Sequence, residues 1–179
     1  MKSLLVLLVY GSILMGGGDC VAATPTEYQL KAAFLLNFAR YIEWPATKLP
    51  AAMPIRICVL GRDPFADALT ALDGRQAQGH DVRVRTIETV DRAADCHVLF
   101  VSESEERRLV NVLHATSGKA ILTVSDIDGF ADAGGAIAFV NEDDRVRFDI
   151  NYGILQRDSL RASAQLLRLG RNVLGLKVP

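Results

Sequence analysis

Residues 55–61 have the sequence Ile-Arg-Ile-Cys-Val-Leu-Gly, a short run of apolar and β-branched residues that ends at a turn glycine. This pattern is typical of a buried β-strand. Residues 98–101 form a fully apolar run and residues 120–124 predict another buried strand, whereas residues 82–87 alternate apolar and polar side chains. The alternation predicts a strand with one wet face, near the edge of a sheet. Together these strands define the centre of the domain.

Helical patterns separate the strands. Residues 65–72 predict a short helix that stops at Gly74, and a helix after residue 101 carries the apolar residues Leu109, Val110 and Leu113. Strands that alternate with helices favour a mainly parallel sheet that is covered on both faces.

The last part of the domain predicts a hairpin and a final helix. Residues 136–140, which are apolar, and residues 146–150, which alternate apolar and charged side chains, flank a polar turn, which is the pattern of an antiparallel hairpin. The final helix is predicted over residues 163–173, with Ser163 as its N-cap. The predicted fold is therefore α/β with three layers: a mainly parallel sheet flanked by helices, with an antiparallel hairpin at one side.

The first helix is predicted to begin at a capping box. Thr24 is its N-cap, and Glu27 stands three residues later. Pro45 ends this helix by Trp44, because a proline disfavours helical geometry in the residue before it. Spacings of four, four and three residues predict one apolar helical stripe, formed by Leu30, Phe34, Phe38 and Tyr41.

The composition favours one ordinary globular domain. The chain has 179 residues, of which 50% are hydrophobic and 23% are charged. Disorder would need fewer apolar residues and a larger net charge. The 20 Lys and Arg residues balance 21 Asp and Glu residues, which disfavours a basic nucleic-acid-binding protein.

Residues 1–23 have the pattern of a secretory signal peptide. Lys2 precedes an apolar run, residues 16–18 are glycines that interrupt it, and Val21 and Ala23 provide small residues before a cut at Thr24. We expect cleavage there, a single mature domain over residues 24–179, and a periplasmic location with no membrane span once cleaved. The alternatives are an uncleaved anchor, for which the apolar run is short, and lipidation.

Cleavage removes Cys20 and leaves two cysteines, Cys58 and Cys96. In an oxidising compartment an even pair is normally joined. If the strands of residues 55–61 and 98–101 are neighbours, Cys96 lies close enough to reach Cys58. The alternative is two separately buried thiols.

The sequence contains no recognisable catalytic, cofactor or metal motif. The turn at Gly61 lacks both the glycine pattern of dinucleotide-binding folds and a phosphate-binding lysine. No serine-hydrolase elbow is present, the three histidines are far apart, and the Asp126–Gly129 segment predicts a turn rather than a calcium loop. We therefore expect no enzyme activity and no cofactor, and binding is favoured over catalysis.

Several segments together resemble the YfiR family of bacterial periplasmic regulators, the DUF4154 domain. The resemblance covers nearly all of the mature chain in order, and its most specific parts are the first and the fifth. The segments are residues 28–38 with 41–45, 57–65, 96–102, 121–126, and 147–151 with 166–169.

The resemblance implies a partner. A protein of this family binds the periplasmic region of an inner-membrane diguanylate cyclase and holds it inactive, which lowers cyclic-di-GMP and restrains biofilm formation. Other members serve other membrane partners, such as a sensor histidine kinase. The family is often dimeric, so a homodimer is an expected state.

The resemblance also implies particular residues. Cys58 and Cys96 fall where the family has one disulfide, whereas a second disulfide, in the segment that matches residues 130–139, has no cysteines here.

The family's small-molecule pocket uses an Arg in its Tyr-x-x-Trp-Pro motif, and an Arg and a His near the last helix. This chain has Glu43, Arg161 and Ser163 at those places. Ligand or partner contacts are thus expected at Glu43, Trp44, Arg161 and Ser163, with a Glu43–Arg161 salt bridge closing the anion position.

Simpler interpretations remain for the same residues. Trp44 can be a core residue at the end of the first helix, and Arg161 can be a solvated charge. Phe34 and Phe38 can be core residues rather than a partner-binding stripe. Two functions are therefore considered. An exposed apolar patch would favour an inhibitory regulator of a membrane enzyme. A deep pocket lined by polar groups would favour a small-ligand-binding sensor.

Overall fold

The structure is a computed structural model that describes residues 26–175. The predicted signal peptide, its cleavage site and Thr24 lie outside the described residues. Five helices, ten strands and two 3-10 turns are described: α1 (Glu27–Tyr41), β1 (Ile42–Glu43), β2 (Ile55–Leu60), α2 (Asp67–Thr70), β3 (Gln76–Ala77), β4 (His80–Ile87), a 3-10 turn (Val90–Asp95), β5 (Val98–Val101), a second 3-10 turn (Glu103–Arg108), α3 (Leu109–Thr116), β6 (Leu122–Ser125), β7 (Ile137–Glu142), β8 (Arg145–Asn151), α4 (Tyr152–Arg157), β9 (Arg161–Ala162), α5 (Ala164–Leu169) and β10 (Val173–Leu174).

The main sheet has eight strands in the order β10-β8-β7-β6-β5-β2-β4-β3. Its centre, from β4 to β7, is parallel, and β7 and β8 form the predicted antiparallel hairpin. The short strands β1 and β9 form a separate antiparallel pair. The predicted α/β fold with a mainly parallel sheet is confirmed.

Two apolar cores cover the two faces of this sheet. Because successive side chains of a strand point to opposite faces, Ile57 and Val59 of β2 face the core beneath α1, and Cys58 and Leu60 face the core beneath α3. Burial on both faces explains why β2 is apolar at every position except Arg56 rather than alternating.

Helix α1 begins later and faces the core differently than predicted. Its capping box is formed by Thr26 and Gln29, so Glu27 is the first helical residue and not the third. Leu30 is 39% exposed, whereas Lys31 is buried. The buried face is therefore broader than the predicted stripe, and it consists of Lys31, Ala32, Leu35, Leu36, Phe38 and Ala39. Lys31 can be buried because it has ionic partners inside the protein. Phe38 is fully buried, and Phe34 stacks on it as a partly buried residue.

Two further details of the helices differ from the prediction. Val110 is 78% exposed, because Leu109, Val112 and Leu113 form the buried face of α3 and Val110 points away from it. Helix α5 has the predicted N-cap, since Ser163 Oγ accepts a hydrogen bond from the Leu166 N–H, but it ends at Leu169.

The disulfide joins neighbouring strands. Cys58 of β2 and Cys96, two residues before β5, are bonded with their Cα atoms 6.0 Å apart, and both are fully buried. The Arg85 guanidinium lies over the bond, with Nε 3.4 Å from Cys58 Sγ and Nη2 3.6 Å from Cys96 Sγ. The predicted pairing is confirmed. Within residues 26–175 no helix is both long and apolar enough to span a bilayer.

Candidate ligand- and partner-binding site

A cavity of about 750 Å³ lies beside the β1–β9 pair. One wall is formed by the chain that leaves α1, and the opposite wall by α4 and the turn that follows it. The lining residues are Glu43, Trp44, Pro45, Tyr152, Gln156, Ser159, Leu160, Arg161 and Ala162. Three of the four predicted ligand residues therefore meet at one cavity, although Arg161 is more than a hundred residues from Glu43 and Trp44 in the sequence.

The short β1–β9 ladder brings these residues together. Ile42 pairs with Ala162, and Glu43 pairs with Arg161. The Ser163 N–H extends the ladder by donating to the Tyr41 carbonyl oxygen at 2.9 Å. Ser163 itself is the N-cap of α5 and does not line the cavity. Its hydroxyl caps α5, and its backbone N–H holds β9 against the end of α1.

Glu43 and Arg161 are neighbours in the ladder but do not form the predicted salt bridge. Both residues are exposed and both line the cavity. In the described part of the chain, neither side chain takes part in an ion pair within 4.0 Å. The physical reason is solvation, because two exposed charges gain little from pairing and lose side-chain freedom. A carboxylate and a guanidinium thus flank one cavity, each able to meet a ligand group.

Trp44 contributes to both the core and the cavity. Its side chain is 9% exposed and belongs to the core beneath α1, which supports the simpler interpretation of this residue. The same residue lines the cavity, and its indole Nε1–H is buried without a hydrogen-bond partner among the described residues. A buried donor without an acceptor costs free energy, so the burial of the indole is favoured by its packing in the core and not by its N–H.

A second cavity, of about 540 Å³, lies at the carboxyl ends of the central strands and was not predicted from the sequence. Lys31, which is 3% exposed, is central to it. Its Nζ lies 2.5 Å from Glu27 Oε1 and 2.6 Å from Asp126 Oδ2. The Tyr28 hydroxyl donates to the same Asp126 oxygen at 2.9 Å. Burial, together with Asp126, raises the pKa of Tyr28.

The sequence does contain a signal for this network. A lysine on the apolar side of α1, and an aspartate one residue beyond a buried strand, are both unusual positions for charged residues. The predicted turn at Asp126–Gly129 is present, but its first residue pairs with Lys31. The network joins α1 to the end of β6, so it stabilises the fold, and its residues also line the second cavity.

Comparisons with known proteins agree with this architecture. A family model described as YfiR/HmsC-like, DUF4154, matches residues 28–171, a range that includes the Cys58–Cys96 disulfide, the β1–β9 pair and the Lys31–Asp126 ion pair. Among solved structures, the chain is similar in fold to the ABC domain in complex with L-Trp from Streptococcus pneumonia, with a TM-score of 0.53 and 10% identity. That match covers 82% of this chain and 60% of the other, and at this identity it shows the fold alone. The extent of the family match settles the relationship: this chain belongs to the YfiR/HmsC-like, DUF4154 family.

Proposed function

We propose that this chain is a periplasmic regulatory protein that inhibits an inner-membrane diguanylate cyclase by binding its periplasmic region. The observation that carries the proposal is the family match over residues 28–171. Membership of the YfiR/HmsC-like family supports a periplasmic regulator in general, and this family is not a known family of enzymes. The cyclase as target is the part that we add.

The disulfide supports the compartment. Cys58 and Cys96 are both fully buried and bonded to each other. Structural disulfides persist in oxidising compartments such as the bacterial periplasm. A signal peptide over residues 1–23, which the sequence predicts, would deliver the chain there.

Inhibition by binding needs two states of the target. A binding protein shifts such an equilibrium only by the difference between its affinities for the two states. A coupling of about 1–3 kcal/mol corresponds to about 5–150-fold in affinity, which is sufficient for a clear change in signalling output. No chemical step by this chain is required.

Purified components test the proposal. The mature chain, residues 24–179, is titrated into each full-length inner-membrane diguanylate cyclase of the same organism that has a periplasmic region, in detergent, and the conversion of GTP to cyclic-di-GMP is followed. We expect saturable inhibition that disappears when the periplasmic region of the cyclase is deleted. Unchanged turnover, or inhibition that survives the deletion, would refute the proposal.

A second function, a small-ligand-binding sensor, is favoured by one observation. The cavity beside β1 and β9 encloses about 750 Å³, within the range of about 300–1,000 Å³ that is usual for ligand sites. It offers the exposed charged side chains of Glu43 and Arg161 to a polar ligand. The two functions are compatible if the ligand alters the affinity for the membrane partner.

A further inference from the structure

His97 occupies a buried position between the chain segment after Trp44 and the start of the sheet. It is 1% exposed and immediately precedes β5. Its ring Nδ1 accepts a hydrogen bond from the Arg56 N–H at 3.0 Å, and its Nε2 lies 3.2 Å from the Lys48 carbonyl oxygen. Because a carbonyl can only accept, Nε2 carries the proton. The ring is a neutral imidazole with both nitrogens in use.

The backbone of His97 is fixed independently of its side chain. The His97 N–H donates to the Arg56 carbonyl oxygen at 2.9 Å, and the Leu122 N–H donates to the His97 carbonyl oxygen at 2.8 Å. A change in the imidazole therefore affects what the ring holds rather than the strand that carries it. The ring joins the Arg56 N–H of β2 to the turn at residues 45–49, which is closed by bonds from the Lys48 and Leu49 N–H groups to the Pro45 carbonyl oxygen.

The charges around His97 disfavour a second proton on the ring. The ionisable groups that act on it are Lys48 on the turn, Arg56 on β2 and His80 on β4. Asp95 and Lys119 act on Lys48, whose Nζ donates to the Ala94 carbonyl oxygen at 2.7 Å. Burial first, and then the neighbouring cations, lower the pKa of His97 to about 4, although its bond to Lys48 opposes the shift.

Trp44 connects this position to the cavity. Its ring meets the His97 ring edge to face, with the centroids 5.9 Å apart. Trp44 immediately precedes Pro45, and both residues line the cavity beside β1 and β9. The Trp44 Nε1–H has no hydrogen-bond partner among the described residues, so the position of the indole depends on packing against its neighbours.

We infer that His97 is a proton-operated latch: the neutral ring joins the Arg56 N–H of β2 to the Lys48 carbonyl oxygen of the 45–49 turn, and protonation displaces the ring from between them, which releases the turn and Trp44 and reshapes the cavity. A protonated Nδ1 would face the Arg56 N–H, so two donors would oppose each other where one hydrogen bond exists now. The added charge would also stand beside Lys48 and Arg56 in a buried setting, which is costly. This inference goes beyond the proposed function and does not depend on it.

The chain contains a reporter for the latch, because Trp44 is its single tryptophan. Indole emission shifts to longer wavelength when the ring becomes hydrated, and a protonated imidazole in contact with it quenches the emission. The backbone amide of Arg56 is a second, independent reporter, since it donates directly to the titrating nitrogen.

The test follows both reporters in the mature chain between pH 7 and pH 3.5, with far-ultraviolet circular dichroism as a measure of the overall fold. We expect the Trp44 emission and the Arg56 amide shift to change together, with one midpoint near pH 4, while the dichroism stays constant. In His97→Gln, whose amide can accept from Arg56 and donate to Lys48 without titrating, the transition should be lost. The matched control is His80→Gln, which removes a neighbouring histidine and should keep the transition.

Three results would overturn the latch. One is a transition that persists in His97→Gln, and another is a change in Trp44 emission without a change in the Arg56 amide. The third is a change of both signals only together with the dichroism, which would indicate general acid unfolding. If His97→Gln does not fold, His97→Asn serves in its place. In the parent protein, titration of the His97 ring itself, followed by NMR, still decides whether Trp44 emission and the Arg56 amide shift change at the midpoint of the ring.

Discussion

Lys31 on α1 and Asp126 at the end of β6 form an ion pair that is almost completely shielded from solvent, with Nζ 2.6 Å from Oδ2 and side-chain exposures of 4% and 12%. Glu27 also contacts the ammonium, and Tyr28 also donates to the Asp126 carboxylate. The pair joins residues that are 95 positions apart in the sequence. The pair anchors α1, the helix that precedes the cavity beside β1 and β9, to the central strand β6.

Removing one member of this pair should destabilise the domain. Lys31→Met keeps the length of the side chain but leaves Asp126 without its cation, and breaking a buried pair costs about 3–5 kcal/mol. The slight exposure of Asp126 places the expected loss in the free energy of unfolding at about 2–4 kcal/mol. Urea denaturation measures it.

The matched variant is the double substitution Lys31→Met with Asp126→Asn, which removes both charges. It should recover part of the loss, because no buried charge is left alone. Strictly additive losses in this double-mutant cycle would show that the two residues do not interact. Tyr28→Phe, which removes only one hydrogen bond, should cost about 1 kcal/mol.

The disulfide should contribute a large share of the stability. Closing a loop of about 38 residues restricts the unfolded chain by about 3–4 kcal/mol. The variant Cys58→Ala with Cys96→Ala should unfold at correspondingly lower urea concentration. In the parent, alkylation without reductant should label neither cysteine, as judged by intact mass. Labelling of both thiols in freshly prepared periplasmic material would contradict the bonded pair.

The stability should depend on pH through His97. Burial lowers its folded pKa to about 4, whereas the unfolded ring titrates near 6.5. Between these values the unfolded state binds the proton and the folded state does not, so the free energy of unfolding rises with pH across this window, by up to about 3 kcal/mol in total. Urea unfolding between pH 5 and pH 7 measures the slope. It should be shallower in His97→Gln, and an equal slope in both proteins would show that another group is responsible.

Glu43 should determine which charges the cavity accepts. Glu43→Arg places a second cation beside Arg161 on the β1–β9 ladder, where like charges opposite each other cost up to about 1 kcal/mol. The same change should favour an aromatic carboxylate such as benzoate, which calorimetric titration can detect. Glu43→Gln is the control, since it removes the negative charge without adding a positive one. If benzoate binds Glu43→Arg no better than Glu43→Gln, the family's pocket does not transfer to this chain.

The parts of the fold that were predictable are those in which local pattern and tertiary environment agree. Strands β2, β5 and β6 are buried on both faces, so their apolar runs identify them without knowledge of their neighbours. The Cys58–Cys96 bond followed from placing two of these strands side by side.

Other parts were decided by long-range contacts or by competing local signals. The burial of Lys31 depends on its ion pair with Asp126, and the periodicity of α1 alone does not identify that partner. The start of α1 was misplaced because residues 24–27 and 26–29 both fit a capping box, and the structure forms the second. Helix α4 was missed because its six residues bury only Leu155, which gives no apolar stripe.

The same distinction applies to the candidate site. The motif resemblance identified Glu43, Trp44 and Arg161, and all three line one cavity. The missing Glu43–Arg161 salt bridge could not be foreseen, because it depends on how two exposed side chains are solvated. The link between Trp44 and His97 could not be foreseen either, since the two residues meet only across the 45–49 turn.

If this chain restrains a membrane-bound cyclase from the periplasm, the cellular concentration of cyclic-di-GMP depends on the presence of the chain. The nucleotide is measured by mass spectrometry in a strain that lacks the gene, and again after the gene is restored either in full or without residues 1–23. We expect the concentration of cyclic-di-GMP to rise several-fold on deletion and to return to the parent value when the full chain is restored. The form that stays in the cytoplasm should not lower it. An unchanged or lower concentration on deletion would contradict the inhibitory role, and restoration by the cytoplasmic form would contradict the periplasmic mechanism.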